Sequence, residues 1–171
     1  NDLLMAPRTL CAEAKKIEAP CKRALRVQTA LAMELLLNVP IRLQNLSHLE
    51  LGKHIIRMRK CVVRLVIEGK ETKNGQPYDA ILMPELSRLI EEYVDHQLPV
   101  LQRGKPSVWM FPGYKGAKTH PPFRKQIMSA VKRLAGATLN PHSFRHLAAK
   151  LILDEEPGAY GKVRLVLGHT S

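Results

Sequence analysis

The hydrophobic pattern changes period at Pro40, and that change limits what the chain can fold into. Before it, Lys22 to Asn38 reads K-R-A-L-R-V-Q-T-A-L-A-M-E-L-L-L-N. Leu25, Thr29, Met33 and Leu36 recur there at helical spacing, with Ala and Leu filling the flanks. This predicts a largely buried helix. Pro40 ends it, because a proline ring disfavours helical geometry in the residue before it. After Pro40 the pattern is β-rich. H-I-I-R-M-R-K and C-V-V-R-L-V-I-E carry β-branched and apolar residues, and Y-D-A-I-L-M follows. Between the last two lies G-K-E-T-K-N-G-Q-P, where Asn74-Gly75 is a hairpin-turn signal. These segments predict a small three-stranded antiparallel sheet.

The helical period returns at Pro84. P-E-L-S-R-L-I-E-E-Y-V-D-H places Leu86, Leu89, Ile90 and Tyr93 on one face. A loop with Pro106, Pro112, Gly113 and Gly116 follows, then a helix from near Pro122 to Ala135. Asn140 can cap another helix with Pro141 at its first position. Asp154 to Gly158 breaks the chain, and a last helix leads to Leu167. The expected fold class is α+β, a mainly helical domain with a small three-stranded antiparallel sheet on one side. A chain of 171 residues suffices for one such domain with a real core.

Charge narrows the partner. Against 15 acidic residues stand 27 Lys and Arg, a net charge of +12, which argues for a polyanion because each phosphate contact releases condensed counterions. Cys11, Cys21 and Cys61 cannot all pair within one chain and form no C-x-x-C, so neither a zinc ribbon nor a redox motif is indicated. Reduced thiols in a cytoplasmic setting fit this usage. The longest apolar stretch, Ala30 to Leu37, is interrupted by Glu34 and is too short to span a bilayer. No membrane partner is expected, and no secretory signal is visible. The chain begins at Asn1 and not at Met, so a longer parent protein is expected.

Four features carry the chemistry. P-I-R-L-Q-N-L sets Arg42 just beyond the buried helix, where a planar fork on a rigid scaffold suits bidentate phosphate recognition. Alone, Arg42 reads as well as a surface arginine capping helix carbonyls. T-K-N-G sets Lys73 in the hairpin loop, as an ammonium able to protonate a leaving oxygen, or as an ordinary solvated turn lysine. P-H-S-F-R-H sets His142 and Arg145 three apart, on one helix face. They can share one phosphate, or they form a basic helix N-terminus with a satisfied core histidine. V-L-G-H-T-S ends a helix at Gly168 and follows it with His169, which alone reads also as an incidental histidine beside a C-terminal cap.

Taken together and in this order, these features resemble the tyrosine recombinase (phage integrase) family over nearly the whole chain. In that family a helix leads into R-x-x-E-L. A β-hairpin lysine, often in T-K-x-G, follows, and then H-x-x-R and L-G-H. Here they stand as Arg42, Lys73, His142 with Arg145, and Leu167-Gly168-His169. P-H-S-F-R-H-L-A-A and L-G-H-T-S are the most specific matches. Two departures stand out. Asn45 replaces the usual glutamate of R-x-x-E-L. The family's tyrosine nucleophile lies about ten residues beyond the L-G-H histidine, whereas Tyr78, Tyr93, Tyr114 and Tyr160 all precede it.

The resemblance implies a site-specific DNA recombinase or integrase that cleaves and rejoins DNA strands. A tyrosine attacks a phosphodiester, forms a 3′-phosphotyrosyl link and releases a 5′ hydroxyl, and another strand's hydroxyl reverses the step. Arg42 and Arg145 neutralise the non-bridging oxygens, Lys73 protonates the 5′ oxygen, and His142 and His169 hydrogen-bond the phosphate or relay the tyrosine proton. No cofactor or metal is called for, since fixed cations do that work. The implied partners are double-stranded DNA and further copies of the protein in a tetrameric synapse, and the implied location is cytoplasmic, at the nucleoid. Residues 1–171 are then the catalytic domain. An N-terminal DNA-binding domain and the tyrosine segment belong to the rest of the protein, so this fragment should bind DNA, with steep salt dependence, without cleaving it. Two relatives of the reading are a type IB topoisomerase-like enzyme and a catalytically inactive DNA-binding module of the same fold.

Overall fold

The computed structural model describes residues 2–39, 41–136, 138, 146–147, 149–150, 152–154, 156–161 and 163. Helix α1 (Asp2–Ala14) packs against α2 (Pro20–Asn38), and a short α3 (Leu43–Ser47) follows. Strands β1 (Ile55–Arg59), β2 (Val62–Ile67) and β3 (Tyr78–Ile81) form one antiparallel sheet in that order. Helix α4 (Pro84–Glu92) continues through a π turn at Tyr93–Gln97 into α5 (Leu98–Gln102), and a loop leads to α6 (His120–Ala135).

The core forms around α2. Ala30, Leu31, Ala32, Met33 and Leu35 are fully buried, so apolar residues face inward on every side of this stretch, as a helix enclosed by neighbours requires. It touches α1, α3, α4, α5 and α6. Strand β2 buries Val63, Leu65 and Ile67 while Val62, Arg64 and Val66 stay half-exposed. This alternation gives the sheet one core face. The register pairs Ile55 with Leu65 and Leu65 with Ala80. The predicted sheet, the helix ending at Asn38 and the helix ending at Ala135 are all present.

Two elements differ from the sequence reading. No helix is expected from the sequence before Lys22, yet in α1 Leu3, Ala6, Leu10 and Ala14 form a buried stripe against the core. Glu13 fastens its end. It accepts two hydrogen bonds from Arg133 on α6, at 2.9 and 2.7 Å, and pairs with Arg26 on α2. The helix expected to stop near His96 runs on to Gln102, because the π turn accommodates the register change ahead of Pro99, which lacks an N–H.

A buried polar chain anchors the loop before α6. The Tyr93 hydroxyl donates to the Met110 carbonyl at 2.8 Å and accepts from Gln28 Nε2 at 3.0 Å, while Lys118 Nζ donates to Gln28 Oε1 at 2.6 Å. Further on, a turn over residues 156–158 has Gly158 at φ +101°, inside the expected break. Asn140, Pro141 and Leu167, which bound the last two predicted helices, lie outside the described residues. No described helix is long and apolar enough to cross a membrane.

Candidate active site

Arg42 owes its position to its neighbours. It is the N-cap of α3, with extended backbone (φ −88°, ψ 154°), and its carbonyl accepts the Leu46 N–H at 2.8 Å. Ile41 and Leu43 are buried on either side. Alternation in an extended segment then turns the arginine outward, and Arg42 is exposed. Arg57, Arg64 and Arg133 each hold a carboxylate through two hydrogen bonds. Among the described residues no carboxylate or helix carbonyl engages the Arg42 side chain, so the capping alternative finds no support there. Its guanidinium fork is available to an oxyanion.

Lys73 sits where the sequence placed it, in the β2–β3 connection, and it is exposed. The connection is built as a closed turn. A 3-10 turn at Gly69–Glu71 opens it. The Thr72 hydroxyl lies 2.9 Å from both the Gly69 and the Gln76 carbonyls, and Gln76 N–H donates to Asn74 Oδ1 at 3.3 Å. Gly75 takes φ +71°, the left-handed geometry its type suits. Gly69 is needed for another reason: a Cβ there would stand 2.3 Å from the Gly75 carbonyl oxygen. The loop is thus pinched at its base, and Lys73 lies between the two glycines.

Asn45 connects the two candidate residues. One helical turn after Arg42, its Nδ2 donates to the Glu71 carbonyl at 2.6 Å, two residues before Lys73. A carbonyl only accepts, so this position requires a donor, and the glutamate usual in R-x-x-E-L would offer none when ionised. The Glu71 carboxylate in turn accepts from Lys53 Nζ at 2.7 Å, His54 Nε2 at 3.1 Å and the Glu68 amide at 3.2 Å. The Lys53 hydrogen bond is the largest influence on Glu71. With the His54 and Glu68 bonds it holds the carboxyl at about 2, against the upward push of partial burial. A small cavity of about 170 Å³ lies here, lined by Gln44, Asn45, His48, Leu49, His54, Ile67 and Glu71.

The structure therefore brings the helix that follows Arg42 against the loop that carries Lys73. His142, Arg145 and His169 lie outside the described residues. Lys53, His54 and Glu71 were not singled out from sequence as site residues. Glu71 lies within the turn segment G-K-E-T-K-N-G-Q-P, and its E-x-x-E spacing from Glu68 is that of the capping box seen here. Among the described residues no group of three or more His, Cys, Asp or Glu is placed to hold a metal ion.

Known proteins give the geometry its context. A post-cleavage complex of the XerH site-specific recombinase with a palindromic difH substrate superposes with TM-score 0.62 at 17% identity, covering 97% of this chain and 45% of that one. XerH in a pre-cleavage complex with difH gives TM-score 0.62 at 17% identity, covering 96% and 45%. XerA recombinase gives 0.59 at 16%, covering 91% and 56%. At these identities the likeness is one of fold, and the chain spans about half the length of each neighbour. No curated protein sequence matches it. The family model described as the phage integrase family matches residues 8–171, and on that match, with the fold in agreement, the chain belongs to the phage integrase family.

Proposed function

We propose that this chain is the catalytic domain of a tyrosine-type site-specific DNA recombinase. The observation that carries the reading is the junction just described: an exposed arginine with no carboxylate partner among the described residues, tied through Asn45 and Glu71 to a hairpin lysine. In this reading Arg42 holds an anionic group and Lys73, on the loop tied to the helix after Arg42, supplies a proton. That is what a phosphodiester exchange needs, with negative charge stabilised at the non-bridging oxygens and a proton for the leaving 5′ oxygen. The family match over residues 8–171 supports joining to these His142, Arg145 and His169, in the order the motifs occur. A net charge of +12 suits duplex DNA, and the XerH neighbours are recombinases bound to their difH substrate.

In this reading a tyrosine oxygen attacks the phosphorus, the P–O5′ bond breaks and a 3′-phosphotyrosyl link forms. Lys73 donates its proton to the 5′ oxygen, Arg42 and Arg145 hold the charged oxygens, and His142 and His169 bond the phosphate or take the tyrosine proton. The 5′ hydroxyl of another strand then reverses the step. Exchange between two duplexes cuts four strands, one per active site, so the protein acts as a tetramer on DNA. The nucleophile is a tyrosine within about a dozen residues after His169 in the full-length protein, where the L-G-H motif leads into the nucleophile segment.

Denaturing capture of the full-length protein from its host tests this. DNA should remain attached through phosphotyrosine, with its ends concentrated at one sequence. Phenylalanine in place of that tyrosine should abolish the attachment while duplex binding persists. Recovery of protein free of DNA, from cells in which it occupies DNA, would leave the inactive DNA-binding module as the better reading.

A further inference from the structure

We propose that Glu71 is the positioning residue for Lys73, a carboxylate clamp that fixes where the hairpin presents its ammonium. This deepens the recombinase reading and rests on Lys73 as proton donor. A general acid must come within hydrogen-bond reach of the leaving oxygen, and small displacements are costly. A lysine is poorly suited to that unaided, since its four-carbon stem is flexible. The loop that carries it has no apolar anchor: residues 73–77 are exposed. Beyond the Ile67–Tyr78 pairing at its base, its hold on the rest of the domain is polar and converges on Glu71.

Three segments meet there. From α3, Asn45 reaches the Glu71 carbonyl at 2.6 Å. From the approach to β1, Lys53 and His54 reach its Oε1 at 2.7 and 3.1 Å. From the end of β2, the Glu68 amide reaches Oε2 at 3.2 Å, closing a capping box around the 3-10 turn. The histidine is itself oriented. His54 Nδ1 accepts the Glu50 N–H at 2.9 Å, which leaves Nε2 as the donor to Glu71, and the ring is buried. A residue two places before Lys73 is thus held from α3, from the β1 approach and from within its own turn. The pinch of Gly69 on Gly75 passes that placement to the loop.

A residue acting through the general acid should affect only leaving-group protonation. In the native reaction the electron pair of the breaking P–O5′ bond ends on the 5′ oxygen, which takes the Lys73 proton. With sulfur at the bridging 5′ position the P–S bond breaks instead, and the thiolate departs without a proton. The experiment uses the full-length protein and matched DNA substrates with oxygen or sulfur at that atom. Glu71→Ala should slow cleavage of the oxygen substrate by about tenfold or more, yet cleave the sulfur substrate within about threefold of the unaltered protein. Glu71→Gln, which keeps side-chain size, should show the same pattern more mildly. Lys73→Ala should be rescued by sulfur in the same way, and Arg42→Ala should be slow on both substrates.

Sulfur cleavage by the Glu71 and Lys73 variants also reports that they fold. If Lys73→Ala is rescued and the Glu71 variants are not, or if they cleave the oxygen substrate normally, the clamp is wrong and the recombinase reading stands. Loss on both substrates, through misfolding included, counts against the clamp. If Lys73→Ala itself is not rescued by sulfur, Lys73 is not the proton donor, and the clamp falls with that assignment.

Discussion

Glu71 is ionised well below the range of an ordinary carboxylate, and this has a consequence for stability that does not depend on the chemistry proposed for Lys73. Hydrogen bonding, from Lys53 foremost, sets its carboxyl at about 2 against 4.5 in the unfolded chain. A depressed carboxylate contributes stability that is complete above the unfolded value and lost as pH falls through the folded one. The window here runs from about 4.5 down to about 2. Glu71→Gln should therefore melt below the unaltered protein at pH 7, with the gap shrinking at pH 3.5. An equal gap at both values, or none, would show that the carboxylate is not held as described. The same residue shows the reach and the limit of reading single residues. Arg42 and Lys73 are legible because each sits in a short local motif. Glu71 and His54 are seventeen residues apart, and their meeting is made by the β1–β2 hairpin, which no local motif records.

At the scale of elements, legibility followed the strength of the period. Helix α2, the three strands and α6 have unbroken patterns, and all are present. Helix α1 spreads its apolar contacts over Leu3, Ala6, Leu10 and Ala14, two of them alanines, with Pro7 inside, so its signal was weak although its stripe is buried. The helix from Pro84 runs past the segment that ends at His96; the π turn is a tertiary accommodation around the buried Tyr93. The loop after it is fixed by a less comfortable contact. Lys118 is partly buried, donates to Gln28 and lies 5.5 Å from the Phe123 ring centre, and burial lowers its ammonium from 10.5 to about 8. For a lysine depressed by burial the cost of the charge is full below about pH 8, and stability rises as pH climbs from there toward 10.5. Gln28 Oε1 keeps a second donor, Gln126 Nε2 at 3.2 Å. Lys118→Met should therefore be at least as stable at pH 7 and lose that advantage by pH 10, as read from melting curves. A loss of more than about 1 kcal/mol at pH 7 would mean that the bond to Gln28 outweighs desolvation.

For the whole molecule, the claim is that residues far apart in sequence surround a single phosphate. Arg42 and Lys73 are already linked through Asn45 and Glu71, and His142, Arg145 and His169 are proposed to join them on the family's motif order. Duplex binding alone does not test this, because a chain of net charge +12 is drawn to any polyanion. Convergence is specific. The most direct measurement is an experimental structure of this chain with tungstate, a tetrahedral oxyanion that stands in for the phosphate and is located by its anomalous scattering. One tungstate should be held jointly by the Arg42 and Arg145 guanidinium groups, with His142 in hydrogen-bond contact. Arg42 and Arg145 on opposite faces of the domain, with no shared anion, would contradict it.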